Sequence, residues 1–469
     1  MLFFMLVFFI CKEKLDMHKV LKPFRFSTMK DSQQFQIMMK EAGLDFPITD
    51  DLSVLSQPIQ LDGKTIPNRL CIQPLEGFDG TQEGAPSDLI FRRYDRYARG
   101  GAGLIWYESI TIADDGRCNP LQMIIKESTI KEIKRLVDET DKAAYETYGR
   151  KPYNVLQLTH SGRRSVDENW KSTPLAVVAN PYIDDHNSID GQAGALAIAT
   201  DEKIEKIIQE FIDAAVLSVE AGFDSVDIKV CHEYILRELL AAFNRPGKFG
   251  GSFENRTRAL FDVIDGVRKR VGNDIDICVR LNAYDCIPYP HGWGMVKEEG
   301  VMEPDLTEPI KLCNMLVEKN VKLINLSTMM PRYQPYKRGY LAEIEKGDIN
   351  PYEGTYHLLK ATKDIKEQVP GGVFVATGLT WLEQFGGHVG AGGVKDGWFD
   401  IAGFGRQAFA YPDFAKDIME KNMMERKKCC LVCDKCYDLI QLGHTMTGCV
   451  PRDQEVYLPL YRKHVQGRN

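Results

Sequence analysis

A chain of 469 residues that is 44% hydrophobic and 27% charged holds enough apolar material for one large folded domain, with room for a small appendage. Its net charge of -7, without a long basic run, argues against nucleic acid as the main partner, because phosphate binding needs clustered lysine and arginine. The apolar start MLFFMLVFFI is too short for a membrane-spanning helix, which needs about 20 residues, and lacks the basic flank and small-residue cleavage site of a signal peptide. No stable membrane insertion and a cytoplasmic location are therefore expected. Residues 1–50 read as an N-terminal extension, better explained by an over-called start, with Met17 or Met29 as the true beginning, than by a signal-like or interfacial role.

After the extension, NRLCIQPLEGFDG (68–80) reads as a first strand with a glycine-rich exit. In SDLIFRRYDRYARGGAG, Leu89, Ile90, Tyr94, Tyr97 and Ala98 recur at helical spacing before a glycine stop, and GLIWYES is a second strand. Further strand patterns follow in YNVLQLTH near 153–160, SVDIKV near 225–230, DICVRLN near 276–282, KLINLST near 322–328, VFVATG near 373–378 and DIAGFGR near 400–406. Amphipathic stretches such as EKIEKIIQEFIDAAVLSVEAG separate most of them. Eight strands alternating with helices predict an α/β fold, an eight-fold β/α (TIM) barrel over residues 51–420, whose usual size is about 250 residues before insertions. A doubly wound open sheet is the rival. Against it, no strand is followed by G-x-G-x-x-G, and polar residues gather at the C-terminal ends of the strands.

That gathering comprises Glu76, Glu108, Gln157, His160, Lys229, Arg280, Asn282, Asn325 and Ser327. In a barrel these ends meet at one mouth, where enzymes of this fold keep their chemistry; for any single residue, a solvated loop position is the plain alternative. The stretch SVDIKVCHEYIL is the most unusual. Val226, Ile228 and Val230 share one face of a strand and Asp227 and Lys229 the other. A buried parallel strand is normally apolar on both faces, so two charges there are costly unless the protein uses them. Lys229, His232 and Tyr234 then fall together where strand gives way to helix, the composition of a proton-handling or anion-binding site. The structural alternatives are an ion pair of Lys229 with Asp227 or Glu76, a satisfied His232, and a Tyr234 that packs on the next helix. Gly378 in VATGLTW, and Gly405 with Arg406 in GFGRQAF, place glycine-containing backbone before helices, where free N–H groups hold phosphate, although glycine is also the default turn residue.

Of twelve cysteines, seven are scattered between Cys11 and Cys313 and five fall between Cys429 and Cys449. Scattered cysteines are usually small core residues, whereas the cluster reads as metal binding in a reducing compartment, forming a C-terminal segment over 421–469. Cys430, Cys433 and Cys436, each two residues apart, with Cys449 twelve residues on, fit the four thiolates of a 4Fe-4S cluster better than a zinc site, which favours two separated pairs or brings in histidine. Cys429 is an alternative to Cys430, and His444 is a bystander.

Assembled, these motifs resemble the Old Yellow Enzyme family of flavin oxidoreductases, in its iron–sulfur branch with 2,4-dienoyl-CoA reductase and trimethylamine dehydrogenase. The resemblance covers roughly Leu52 to Asp453 and rests on NRLCIQP, RYARGGAGLI, QLTHSGR, GFDSVDIKVCHEYIL, FGGSFENRTR, ATGLT, GFGR and the cysteine cluster, in that order. It implies FMN across the barrel mouth, with Gln157 on the pyrimidine edge, Arg280 near N1 and O2, Glu76 beside the cofactor, and the phosphate on backbone around Gly378, Gly405 and Arg406. A fixed guanidinium near N1 stabilises the negative charge that builds there on reduction. FGGSFENRTR, with Gly250, Glu254, Asn255 and Arg256, looks like bracing. At strand four many relatives carry a His, then a His or Asn three residues later and a Tyr two beyond; here Lys229, His232 and Tyr234 stand in those places, and the lysine departs from the pattern.

The twenty residues after Cys449 leave no room for the FAD- and pyridine-nucleotide-binding domains of long relatives, so a ferredoxin, flavodoxin or reductase is the expected electron donor, ahead of NAD(P)H acting directly. The leading expectation is an FMN- and 4Fe-4S-containing reductase of an activated C=C bond in a conjugated enone or enoate. The alternatives are an amine-oxidising dehydrogenase, with Trp106, Tyr107, Trp293 and Tyr333 as a possible aromatic cage, and a non-catalytic zinc-bound scaffold.

Overall fold

The computed structural model describes residue 29 and residues 31–184, 196–329 and 351–468. The first 28 residues, and the aromatic loop after strand six from residue 330 onward, including Tyr333, lie outside the described residues.

Eight parallel strands close on themselves. They are β1 (Leu70–Ile72), β2 (Leu104–Thr111), β3 (Tyr153–Thr159), β4 (Ser225–Ile228), β5 (Asp276–Asn282), β6 (Leu323–Ser327), β7 (Val373–Ala376) and β8 (Ile401–Phe404). β8 returns to β1 through Ala402 opposite Leu70, Gly403 opposite Cys71 and Phe404 opposite Ile72. The expected barrel is therefore observed and closure removes the open-sheet rival; seven strands fall inside their predicted runs, and β2 continues two residues past Ser109 to Thr111.

The side-chain period of two splits every strand between two cores. Ile105, Tyr107, Val226 and Ile228 face outward into the layer shared with the helices. Leu104, Trp106, Tyr153, Val155, Leu323 and Ile401 face inward and form a separate apolar cluster at the start of the strands. A hairpin, Ile59–Leu61 paired with Lys64–Ile66, inserts Leu61 and Ile66 into that cluster and closes the barrel floor. Its turn holds Asp62 and Gly63 at φ 48° and 84°, the left-handed pair that Asp-Gly accommodates in a two-residue hairpin.

Helices cover the outside. In α1 (Asp88–Arg99) the buried stripe is Ile90, Arg93, Tyr94, Tyr97 and Ala98, so Arg93 turns inward while Leu89 is only half-buried. α2 spans Ile130–Tyr148 and α3 spans Asp201–Glu220, the latter capped by Thr200, whose hydroxyl accepts the Lys203 N–H. α4 (Phe253–Val271) is capped by Ser252 and braced by Arg256, which donates to the Gly251 carbonyl at 3.0 Å and to the Glu308 carboxylate at 2.8 and 2.9 Å. Residues before the barrel also pack on it: Phe35, in the helix Ser32–Glu41, stacks on Phe385 with ring centroids 4.8 Å apart. No described helix is long and apolar enough to cross a membrane.

Candidate active site

Above the apolar floor the inward positions turn polar, and β4 supplies the centre. Asp227 is fully buried and accepts hydrogen bonds from Trp106 Nε1 (2.9 Å), Gln157 Nε2 (2.6 Å) and the Arg280 backbone N–H (2.6 Å). Burial pushes its carboxyl up to about 6, while the three donors pull it back toward the ionised form. Folding therefore favours the protonated acid: its stabilising effect is complete below about pH 4 and is lost as pH rises through about 6, a difference of roughly 3 kcal/mol. In Asp227→Asn that pH dependence is expected to disappear from urea titrations between pH 4 and 7. At neutral pH the variant should lose roughly 1–3 kcal/mol, since the amide cannot accept from all three donors.

Lys229, one pleat further up, turns away from Asp227. Its ammonium donates to Ser109 Oγ at 3.0 Å, lies 3.2 Å from Glu76 Oε1, and sits 3.7 Å from the centre of the Tyr234 ring. Of the two ion pairs that the sequence allows, the structure forms the one with Glu76. The cation is 3% exposed, so both its charge partner and the aromatic face act in a largely dry site.

His232 follows with φ 63°, a left-handed conformation that costs a non-glycine residue about 1–2 kcal/mol. Asn282, at the end of β5, compensates: its Oδ1 accepts the His232 N–H at 3.1 Å, and its Nδ2 donates to Asp285 (2.8 Å) and to the Met329 carbonyl (3.1 Å). His232 Nε2 is thereby set 3.3 Å from Ser327 Oγ, and its ring centroid 6.4 Å from that of Tyr234. Lys229, His232 and Tyr234 thus share one rim of the mouth.

Among the described residues, the buried atoms Gln157 Oε1 and Arg280 Nε have no hydrogen-bond partner. Orphaned polar atoms are costly inside a fold unless something else satisfies them, and an acceptor and a cationic donor in one layer match the amide-like edge of a flavin. The opposite side of the lumen is closed by a ring in which Asn325 was expected from the sequence and Gln73 and Thr377 were not. Gln73 Oε1 accepts from Asn325 Nδ2 (2.7 Å), Gln73 Nε2 donates to the Ala376 carbonyl (3.1 Å), and Thr377 donates to Asn325 Oδ1 (3.0 Å). Its signal was present, since Gln73 is the last inward residue of NRLCIQP. Gly378 has φ +95° and Gly405 opens the short helix beginning at Arg406, so the two turns lie at the ends of the paired strands β7 and β8. The Arg406 side chain leads away from them: it pairs with Asp434 and lies over Trp381, 4.7 Å from Cζ to the ring centre.

Glu108 belongs to a second buried group. Arg93 pairs with Asp79 and approaches Glu108 Oε1 at 3.3 Å, the Gly77 N–H donates to Glu108 Oε2 at 3.3 Å, and the Tyr457 hydroxyl donates to Asp79 Oδ2 at 3.2 Å. Burial raises both carboxyls and the guanidinium between them opposes that rise. A Cβ on Gly77 would meet Arg93 Nη1 at 1.9 Å, so the loop backbone lies directly on the guanidinium.

In the C-terminal segment, burial pushes the thiols of Cys436 and Cys449 up to about 12, and Cys430 and Cys433 act on both of them. Cys429 is turned elsewhere: its thiol donates to the Glu425 carbonyl at 3.6 Å. Among the described residues no three His, Cys, Asp or Glu side chains are arranged as a metal site. The aromatic cage does not form from its described members. Trp106 faces the lumen, Tyr107 stacks on Tyr94 at 4.2 Å in the outer layer, and Trp293 lies against Phe253.

Comparison with known proteins places this geometry. Residues 54–324 match the model of the NADH:flavin oxidoreductase / NADH oxidase family. An NADH:flavin oxidoreductase of Gibberella zeae is 27% identical over 358 residues, covering 71% of this chain and 84% of its own. Two solved structures share the fold: 2-naphthoyl-CoA reductase at TM-score 0.63 and 20% identity, and histamine dehydrogenase of a Rhizobium species at 0.65 and 19%. Those alignments cover 88% and 85% of this chain, but the chain spans only 56% and 52% of theirs.

Proposed function

The chain belongs to the NADH:flavin oxidoreductase / NADH oxidase family, a flavin-dependent oxidoreductase on the Old Yellow Enzyme plan, and from that premise we propose that it reduces an activated C=C bond in a conjugated enone or enoate. The observation that carries this reading is the inward polar layer, where Gln157 Oε1 and Arg280 Nε lack partners beside a buried cation, a strained histidine and a tyrosine. FMN is the group these residues fit, with Gln157 and Arg280 on its pyrimidine edge, Glu76 nearby and its phosphate on the backbone of Gly378, Gly405 and Arg406. When bound it supplies hydride chemistry, recharged by NAD(P)H or by a protein donor such as a ferredoxin, flavodoxin or reductase. Lys229 and His232 hold the carbonyl or carboxylate of the substrate, Lys229 by charge, and Tyr234 delivers a proton to the α-carbon. The apolar floor and the dry walls keep water from these groups.

Cys430, Cys433, Cys436 and Cys449 are the proposed holders of a 4Fe-4S cluster. Four cysteines close together in the chain, Cys430 buried and Cys433, Cys436 and Cys449 half-buried, are the donor set such a cluster takes. Cys436→Ser is expected to lower the iron content of protein purified without oxygen to background, with folding of the barrel unchanged by circular dichroism, whereas Cys429→Ser should retain the iron. The function is tested by an anaerobic screen of enones, enoates and amines against chemically reduced enzyme, after flavin and iron have been quantified. Consumption of a conjugated substrate supports it; no loss of any such substrate, or flavin bleaching by amines alone, overturns it.

A further inference from the structure

Arg406 joins two parts of the molecule, the glycine turns at the ends of β7 and β8 and the cysteine segment. Its backbone lies on a turn assigned to the flavin phosphate, yet its guanidinium pairs with Asp434, which stands between Cys433 and Cys436. The same group lies over Trp381, three residues past Gly378, so the side chain that springs from one turn touches the segment that follows the other. The pair is mostly enclosed, with side-chain exposures of 22% and 20%. The next residue strengthens the link, since Gln407 Oε1 accepts the Cys430 N–H at 3.0 Å. An arginine suits this place because its broad, delocalised cation reaches a carboxylate and an aromatic ring at once.

We infer that Arg406 is a positioning residue that couples phosphate occupancy of the Gly378 and Gly405 turns to the ordering of the thiol loop, residues 430–441. The inference rests on the FMN reading for its phosphate half. A phosphate held by the turn fixes the backbone from which the Arg406 side chain springs. That side chain then holds Asp434, and with it the chain between Cys433 and Cys436. Coupling of this kind is reciprocal: whatever FMN does to the loop, the loop contact does to FMN affinity by the same factor.

The test is amide hydrogen exchange of residues 430–441 in the full chain, stripped of flavin and then saturated with FMN or with riboflavin, which lacks the phosphate. FMN is expected to slow exchange on the order of 10-fold and riboflavin to leave it unchanged. In Arg406→Ala, FMN should give no protection and bind more weakly by that same factor, and Arg406→Lys should recover part of both effects. Should Arg406→Ala fail to fold, Asp434→Asn removes the same pair from the other side and must give the same loss. Equal protection by riboflavin, or undiminished protection by FMN in these variants, overturns the coupling alone. Failure of FMN to bind the unaltered chain overturns the flavin reading and the coupling with it.

Discussion

Methionine in place of Lys229 is expected to lower kcat/KM for an enoate by about 10²–10³-fold, the size of effect seen when one preorganised electrostatic group is removed from a dry site. Methionine keeps the length of the stem, so the wall of the lumen stays filled. What is lost is the charge between Glu76, Ser109 and the Tyr234 ring. The Glu76 carboxylate, 17% exposed, then faces the mouth without its cation and repels a carboxylate substrate. A neutral enone of the same shape should therefore suffer less than the enoate, and the ratio between them separates an anion-binding role from a general loss of packing. Flavin and iron content should match the unaltered chain. Unchanged turnover of both substrates would remove Lys229 from the chemistry and leave the Glu76 pair as neutralisation of the barrel interior.

Arg93→Met should be the most destabilising single change among the groups described, by about 3–5 kcal/mol in urea unfolding, because it leaves two carboxyls facing each other without their shared cation. Asp79 and Glu108 are both buried, and Tyr457 reaches Asp79 from the C-terminal segment, so the loss spreads to the contact between that segment and α1. The defect should shrink as pH falls, since protonated carboxyls need no counter-charge. Equal losses at pH 5 and pH 8 would show that the guanidinium matters for its packing on Gly77 and Phe409 rather than for its charge.

The strands were legible because a barrel strand buried on both faces leaves a short apolar run between polar exits, and all but β2, which continues to Thr111, lie inside such a run. The charges of β4 were legible for the same reason, as exceptions to that rule. Which partner each charge takes was not, since Asp227 and Glu76 are equally available to Lys229 in one dimension and only closure of the barrel separates them. The inward turn of Arg93 was hidden because a helical stripe is recognised by apolar residues, and a paired arginine occupies such a position without looking apolar. The floor hairpin was hidden by its length of three residues a side, although Asp62-Gly63 between Leu61 and Ile66 carried its turn signal. The choice between Cys429 and Cys430 depends on which way one residue of a loop points, which spacing does not encode.

The division of each strand into an apolar start and a polar end also bears on how such a chain can change over generations. In β2, Leu104 and Trp106 belong to the floor while Ser109 reaches the polar groups above it; in β3 the same passage runs from Val155 to Gln157. A single pleat thus separates the packing of the floor from the polar groups that the proposed function uses, so a change at an upper position need not disturb the floor that closes the barrel. Asp227, bonded to Trp106 below and to Gln157 beside it, is where those two levels are tied together.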